Sequence, residues 1–428
     1  MSTESAVDKT PGGVEARAQF ASDITGPRSL GDYLKAWRDR VRGGDVGSLP
    51  AVLGLLVLVV VFSIARPSTF PTALNFANLM TQAGPICVLA MGIGFVLLLG
   101  HIDLSAGVVG GVGAGVMASV MLDQGLPWYL AVLIALATGV AMGLLTGWLV
   151  SVVGIPSFVV TLAFFLAWQG LLLFIIGTGG TVAVKDPVIL AISNQNVPVT
   201  AGWIAVVLAI AAYAGISLTV HRRRQARQLV SAPLSVVLIR IAAVAVVLVA
   251  ATLVLSTNRA RVATVVLAGI PWVVPLVAVL LVVWTLVQTR TAFGRYVYAV
   301  GGNAEAARRA GIRVGRITVW CFVISSAMAV LSGIIAASRL NSVTPDAGAG
   351  NTLLYAVAAA VIGGTSLFGG KGRARDAIIG GLVIAVINNG LGLLGLKAEI
   401  NYLVTGLVLL LAANVDAITR RRRTGSGR

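Results

Sequence analysis

The sequence predicts an all-α fold, a polytopic bundle of transmembrane helices with about twelve spans and both ends on the cytoplasmic side. Three observations predict it. First, 57% of the 428 residues are hydrophobic and 11% are charged, against about 25% charged in soluble domains. A chain with a mean hydropathy of +0.95 cannot cover a water-facing surface, whereas a bilayer accepts it as helices. Second, apolar stretches near the ~20 residues that cross a hydrocarbon core recur at 50–66, 76–99, 105–122, 128–152, 157–176, 201–220, 234–256, 262–288, 317–338, 352–369, 376–395 and 399–418. Third, the basic residues cluster between alternate stretches. With the N-terminus inside, the outer side holds only Arg66, Lys185, Arg259, Arg261, Arg339 and Lys397, and Arg240 falls within a span. This is the asymmetry of cytoplasmic loops. It explains the net charge of +17 without nucleic acid as a partner.

The elements follow in order. Residues 1–49 are polar and read as a cytoplasmic tail, with 30–42 ("LGDYLKAWRDRVR") as a short amphipathic helix on the membrane surface. Residues 50–418 form the transmembrane domain, and 419–428 a basic cytoplasmic tail. Gly107, Gly111 and Gly115, and Gly139, Gly143 and Gly147, each line one helix face at four-residue spacing. Such rows let neighbouring backbones approach closely. The outer loop 177–200 is long and of mixed polarity, a length that is often functional.

Enzyme chemistry finds no foothold. The only cysteines, Cys87 and Cys321, lie inside apolar runs, so neither a disulfide framework nor a metal site is indicated. HExxH, CxxC and GxSxG are absent. "GGTSLFGGKG" (363–372) looks like a phosphate loop, but Thr365 stands where the first glycine belongs, and Gly372 follows Lys371 in place of Ser or Thr. The sequence thus predicts no nucleotide hydrolysis and no cofactor bound by this chain.

The inside segment 289–316 is more telling. Its centre, "NAEAARRAGI", reads as a short helix with Asn303 as N-cap, Glu305 in the first turn, Arg308 and Arg309 in the last, and Gly311 at the stop. A helix this short is not stable alone, so flanking spans or a partner must hold it. In "LLLGHIDLSAGVVGG" (97–111), Asp103 precedes the span that starts near Ser105. A carboxylate there caps free backbone N–H groups, while Gly100 and Gly107 relax the chain and His101 reaches toward a neighbouring span. A glycine-rich break of this kind also marks a discontinuous or re-entrant helix.

Four stretches carry a resemblance: "GHIDLSAG" (100–107), "IPSFVVTLA" (155–163), "GRYVYAVGGNAEAARRAGIRV" (294–314) and "AAAVIGGTSLFGGKG" (358–372). In this order and spacing they resemble the ribose/xylose-type permeases of binding-protein-dependent ABC sugar importers. Two additional spans near 201–256, joined by "HRRRQARQ" (221–228), and "SRL" at 338–340 are similar to the D-xylose subgroup. The resemblance implies import of a monosaccharide, D-xylose or another pentose. It implies a cytoplasmic ATPase subunit carrying ATP and Mg, an extracytoplasmic sugar-binding protein, a second permease copy, and residence in the plasma membrane of a prokaryote.

It also implies roles. Gly301, Gly302, Asn303, Ala304, Glu305, Ala306, Ala307, Arg308, Arg309 and Gly311 match the ATPase-coupling segment. There Ala304, Ala306 and Ala307 allow close approach, and Glu305, Arg308 and Arg309 supply polar contacts. Gly100, His101, Asp103, Ser105, Gly107, Gly363, Gly364, Thr365, Gly369 and Gly370 fall in the signature and hinge stretches. The chain departs from the family at 353–355, where Leu353, Leu354 and Tyr355 replace a common Glu-Leu-Asp.

Polar and aromatic residues inside spans are candidates for a sugar path: Gln82, Gln169, Asn388, Asn389 and Asn401, with Phe164, Phe165 and Trp168 as apolar faces. The alternative is an ion-coupled secondary transporter, which wants carboxylates buried at mid-membrane. Asp103 is its one strong candidate.

Overall fold

A computed structural model of the chain describes residues 31–33, 35, 38, 47–177, 180–260, 262, 264–397, 399, 400, 402–404, 406, 407 and 410. The tails 1–30 and 419–428, most of the expected amphipathic helix 30–42, much of the twelfth span and Asn401 lie outside these residues.

The elements in chain order are α1 (Leu49–Ala65), α2 (Ala73–Leu98), α3 (Ala106–Asp123), α4 (Trp128–Trp148, ending in a π turn over Leu149–Val153), α5 (Ser157–Ile176), β1 (Val182–Ala183), α6 (Pro187–Asn194), β2 (Asn196–Val197), α7 (Val199–Ala226), α8 (Leu234–Ser256), β3 (Ile270–Pro271), α9 (Val273–Arg290), α10 (Ala292–Gly302), α11 (Ala304–Arg309), α12 (Val314–Leu340), β4 (Ser342–Val343), α13 (Asn351–Gly363) and α14 (Ala374–Leu393). Among the described residues, nine helices are long and apolar enough to cross a membrane, and Leu49–Ala65 and Asn351–Gly363 are shorter apolar helices.

Local chemistry sets the starts. Thr72 caps α2 by accepting from Asn75 N–H. Asp186 caps α6 by accepting from Val188 and Ile189 N–H, with Pro187 just inside. Pro127 and Pro156 stand at the N-caps of α4 and α5.

Two compact units divide the chain: one holds Val199–Ser256 with described N-terminal residues, the other Gly47–Pro198 and Thr257–Arg421. In the first, α7 and α8 pack as a helical pair. The arginine inside the second of them, Arg240, donates to the Tyr33 hydroxyl and stacks over its ring at 5.7 Å. The second unit is built around α12, which packs on α2, α3 and α4. The glycine rows are its seams. Gly139, Gly143 and Gly147 lie against Val330, Val323 and Val319 of α12, and Gly107 and Gly111 against the backbone of Gly348 and Ala347.

Two expected spans are shorter than their apolar stretches. The stretch 262–288 becomes a loop, then β3, then α9. Its first part folds because the Asn258 side chain accepts from Ala260 and Leu267 N–H, at 3.1 and 2.9 Å, and β3 pairs antiparallel with β2, Asn196 opposite Pro271. The stretch 352–369 ends as helix at Gly363, because Gly364 turns left-handed at φ +117°. The segment between α5 and α7 is tied to β4 and to the end of α12. β1 pairs with β4. Ser193 N–H donates to Ser338 Oγ at 3.0 Å, and Asn194 Nδ2 to Ser338 O at 2.8 Å.

Candidate coupling and translocation sites

At one end of the larger unit, three of the motif stretches meet. The Thr291 hydroxyl caps α10 by accepting from Gly294 N–H. Asn303 Oδ1 caps α11 by accepting from Ala306 N–H at 2.9 Å. At the far end Gly311 is left-handed at φ +83°. Its N–H donates to Arg308 O, and Ile312 N–H to Ala307 O, both at 3.0 Å. This paired closure satisfies carbonyls that a helix end otherwise leaves open. Glu305 pairs with Arg308 at 3.0 Å and Arg309 at 3.3 Å, all three exposed.

One residue of the coupling set corrects the sequence reading. Ala307 does not face outward with Ala304 and Ala306. It is 5% exposed and joins a cluster with Val297, Val300 and Ile317, because it is the only position of α11 turned toward the bundle. Gly302 faces open space.

Gly301 sits on bare backbone. A β-carbon there would lie 1.8 Å from Leu98 O and 2.9 Å from Gly370 N. Gly370 N–H donates to that same Leu98 O at 2.8 Å. The ends of α2 and α10 and the loop 364–373 thus cross backbone to backbone. Gly369 and Gly370 are left-handed (φ +85° and +72°). Thr365, buried, donates its N–H to Ala360 O. Tyr298 Oη donates to Gly372 O at 2.6 Å, and Gln288 Oε1 accepts from Ala374 N–H at 2.9 Å. Gly363 lies against the backbone of Asp376, whose carboxylate accepts from Arg373 N–H at 2.8 Å.

The stretch 100–105 lies deeper than a plain inside loop. Asp103, 2% exposed, accepts from Ser105 N–H (3.1 Å), Ser105 Oγ (2.8 Å) and Ser325 Oγ (3.1 Å). Ser325 is mid-way along α12, roughly 16 Å from its start at ~1.5 Å per residue. The irregular backbone therefore sits inside the bundle, where protein donors replace water. Ile102 is tied to α5 through Ser157 Oγ and Thr161 Oγ1. The left-handed Gly100 (φ +78°) makes the turn. His101 reaches its neighbour by a ring contact, 6.1 Å from Phe322.

The candidate path residues do not converge. Phe164 and Trp168 stack at 4.8 Å, and the buried Trp168 Nε1 has no hydrogen-bond partner. Phe165 packs on the main core. Gln169 Nε2 donates to Pro345 O at 2.9 Å. Gln82 and Asn388 are half-buried. Asn389 is taken by Asn75: each amide donates to the other at 2.9 Å. None of the seven described candidates lines the large polar cavity at the opposite end, whose walls include Asn75, Asn78, Asn196, Arg259 and Arg339. Sequence reasoning gave Arg259 and Arg339 only as outer-side basic residues and missed the cavity, because its walls come from helix ends, β2 and a loop whose later part, 262–272, reads as a span. The two asparagines and the hydroxyls before α2 were the available signal.

The profile of the family described as branched-chain amino acid transport system / permease component matches residues 75–413. The xylose transport system permease protein XylH of Escherichia coli K12 is 35% identical over 87% of this chain and 92% of its own length. Its counterpart in Haemophilus influenzae is 33% identical over 87% and 96%. The ribose import permease protein RbsC of Escherichia coli K12 is 43% identical over 35% of this chain and 46% of its own. No solved structure matches. With its multiple membrane-spanning helices and this family match, the chain belongs to that permease family, as an ABC-type permease of the xylose/ribose kind.

Proposed function

We propose that the chain is the membrane subunit of an importer that brings a pentose, first of all D-xylose, into a prokaryotic cell. It spans the inner membrane twelve times with both termini in the cytoplasm. Two copies pair, an external binding protein delivers the sugar, and a separate cytoplasmic subunit hydrolyses ATP with Mg. Within 50–418, the pair α7–α8 is the added two-span segment and 289–316 the coupling segment.

The observation that carries this reading is α11. It is a six-residue helix, capped at both ends, with Ala307 buried against the bundle and Glu305, Arg308 and Arg309 exposed. A short capped helix with exposed charges suits docking on a partner subunit. The length and identity of the match to xylose permeases support the pentose.

The test is reconstitution of the chain with the ATPase and binding protein encoded beside it. D-xylose uptake should require all three components and ATP. Uptake by the chain alone, or ATP hydrolysis that no monosaccharide stimulates, would sink the proposal. Uptake driven by a proton gradient without ATP, and lost in Asp103→Asn, would establish the ion-coupled alternative instead.

A further inference from the structure

The end of the larger unit opposite α11 holds a cavity of about 790 Å³, within the roughly 300–1,000 Å³ of small-molecule sites. Five separate segments wall it: the start of α2 with the turn before it, the end of α6 with β2, the 257–272 loop, the end of α12 and the end of α14. Its polar lining is hydroxyls, four asparagines, Arg259 and Arg339, with no carboxylate side chain. Polar walls of this kind do not face lipid tails.

The walls are built. Arg259 is buried; its N–H donates to Leu267 O at 2.9 Å and its Nη2 to Gly269 O at 3.0 Å. Gly269, left-handed at φ +101°, would place a β-carbon 2.0 Å from Val197 O, so the loop is held tight to β2. The Asn75–Asn389 amide pair, 7% and 6% exposed, ties α2 to α14 at the cavity edge.

Against this fixed frame some groups have capacity to spare. Among the described residues, the side chains of Asn78, Asn196 and Arg339 make no hydrogen bond within the chain, though all three line the cavity. Two amides offer paired donors and acceptors, and a guanidinium offers five donors. That set matches a neutral solute dense in hydroxyls, whose oxygens both give and accept. The absence of lining carboxylates disfavours cations.

We propose that this cavity is the outward-facing receiving site for a neutral monosaccharide, with Asn78, Asn196 and Arg339 as its contacting side chains. The inference rests on the importer reading for the side it faces.

The test uses the full chain in right-side-out vesicles. Cys87 and Cys321 are both buried, so a single introduced thiol reports alone. Asn78→Cys and Asn196→Cys should react with a membrane-impermeant maleimide added outside. D-xylose should slow both reactions by about 1 + [L]/Kd, and Arg339→Ala should weaken that protection. Gln124→Cys, on the exposed turn after α3, should react at an unchanged rate. Labelling from the inner side only, rates that no monosaccharide changes, or protection by D-xylonate and not D-xylose would each overturn the assignment. Because labelling needs neither ATP nor a partner, a chain that fails ATP-driven uptake still answers this question.

Discussion

Asp103 shows how this chain keeps a carboxylate inside the bundle. Three donors reach it, two from Ser105 and one from Ser325, and a buried polar group left without its partner costs roughly 1–3 kcal/mol. Asp103→Ala leaves the Ser325 hydroxyl and the Ser105 N–H unpaired, so a loss of about 3 kcal/mol is expected. A clear fall in Tm of the detergent-purified chain checks it. Asp103→Asn keeps an acceptor oxygen and should lose less than half as much; equal losses in the two variants would mean that the site's packing, and not its hydrogen bonds, depends on Asp103. The Asn75–Asn389 pair makes a second case. Replacing either residue by Leu strands a buried amide at a cost of about 2 kcal/mol. Replacing both should cost less than the sum, with a coupling of about 1–2 kcal/mol in a double-mutant cycle of thermal stability. Additive losses would contradict the paired geometry.

Among the elements, α11 divides into a seated side and a free side. Asn303→Ala removes the cap, worth about 1 kcal/mol, from a helix with little stability of its own. Sugar-stimulated ATP hydrolysis in the reconstituted complex should drop while the Tm of the permease stays unchanged. Glu305→Gln breaks only exposed ion pairs, which contribute little, so any loss of ATPase binding it causes belongs to the partner contact. Gly301→Ala has no room, since a methyl would meet Leu98 O. Its effect should appear as uncoupling, with ATP hydrolysed and no sugar moved. This is also where legibility in the sequence can be judged. Asn303, Glu305 and Gly311 announced the helix, because caps and dipoles act within a few residues. Ala307's inward turn was not legible, since which face a short helix hides depends on Val297, Val300 and Ile317, none of which marks itself. The receiving cavity was invisible for a related reason: 262–272 is apolar enough to read as membrane, and the Asn258 side chain together with the pairing with β2, dozens of residues earlier, makes it a loop.

For the whole chain, the division into units gives a direct expectation. Pro198 and Thr257, where the α7–α8 pair leaves the larger unit, flank segments joined by the β2–β3 pairing. Joining 198 to 257 by a short linker should leave that unit folded. A monodisperse chain with Cys87 and Cys321 unreactive to thiol reagents is the expected result; exposure of either thiol would show that the pair is needed for folding. The long apolar helices were readable in outline, because hydropathy is a sum over ~20 residues and tolerates local error. The break at 99–105 was readable as a glycine-rich stretch; the one beginning at Gly364 was not, since 352–369 reads as one span, and their meeting with Gly301 was not, since backbone crossings leave no side-chain signature to read.

That crossing has a consequence for how such a transporter changes over generations. At Gly301 the segment grips the bundle through peptide atoms, beside the Ala307 methyl in its apolar cluster, while the charged side chains of Glu305, Arg308 and Arg309 are exposed. On the proposed function, the outward face is free to drift and recruit a different motor subunit, and the grip need not be rebuilt each time. Motor choice and force transmission are then separable traits on adjoining residues, and a swap of Glu305, Arg308 and Arg309 is the natural route to pairing this permease with a foreign engine.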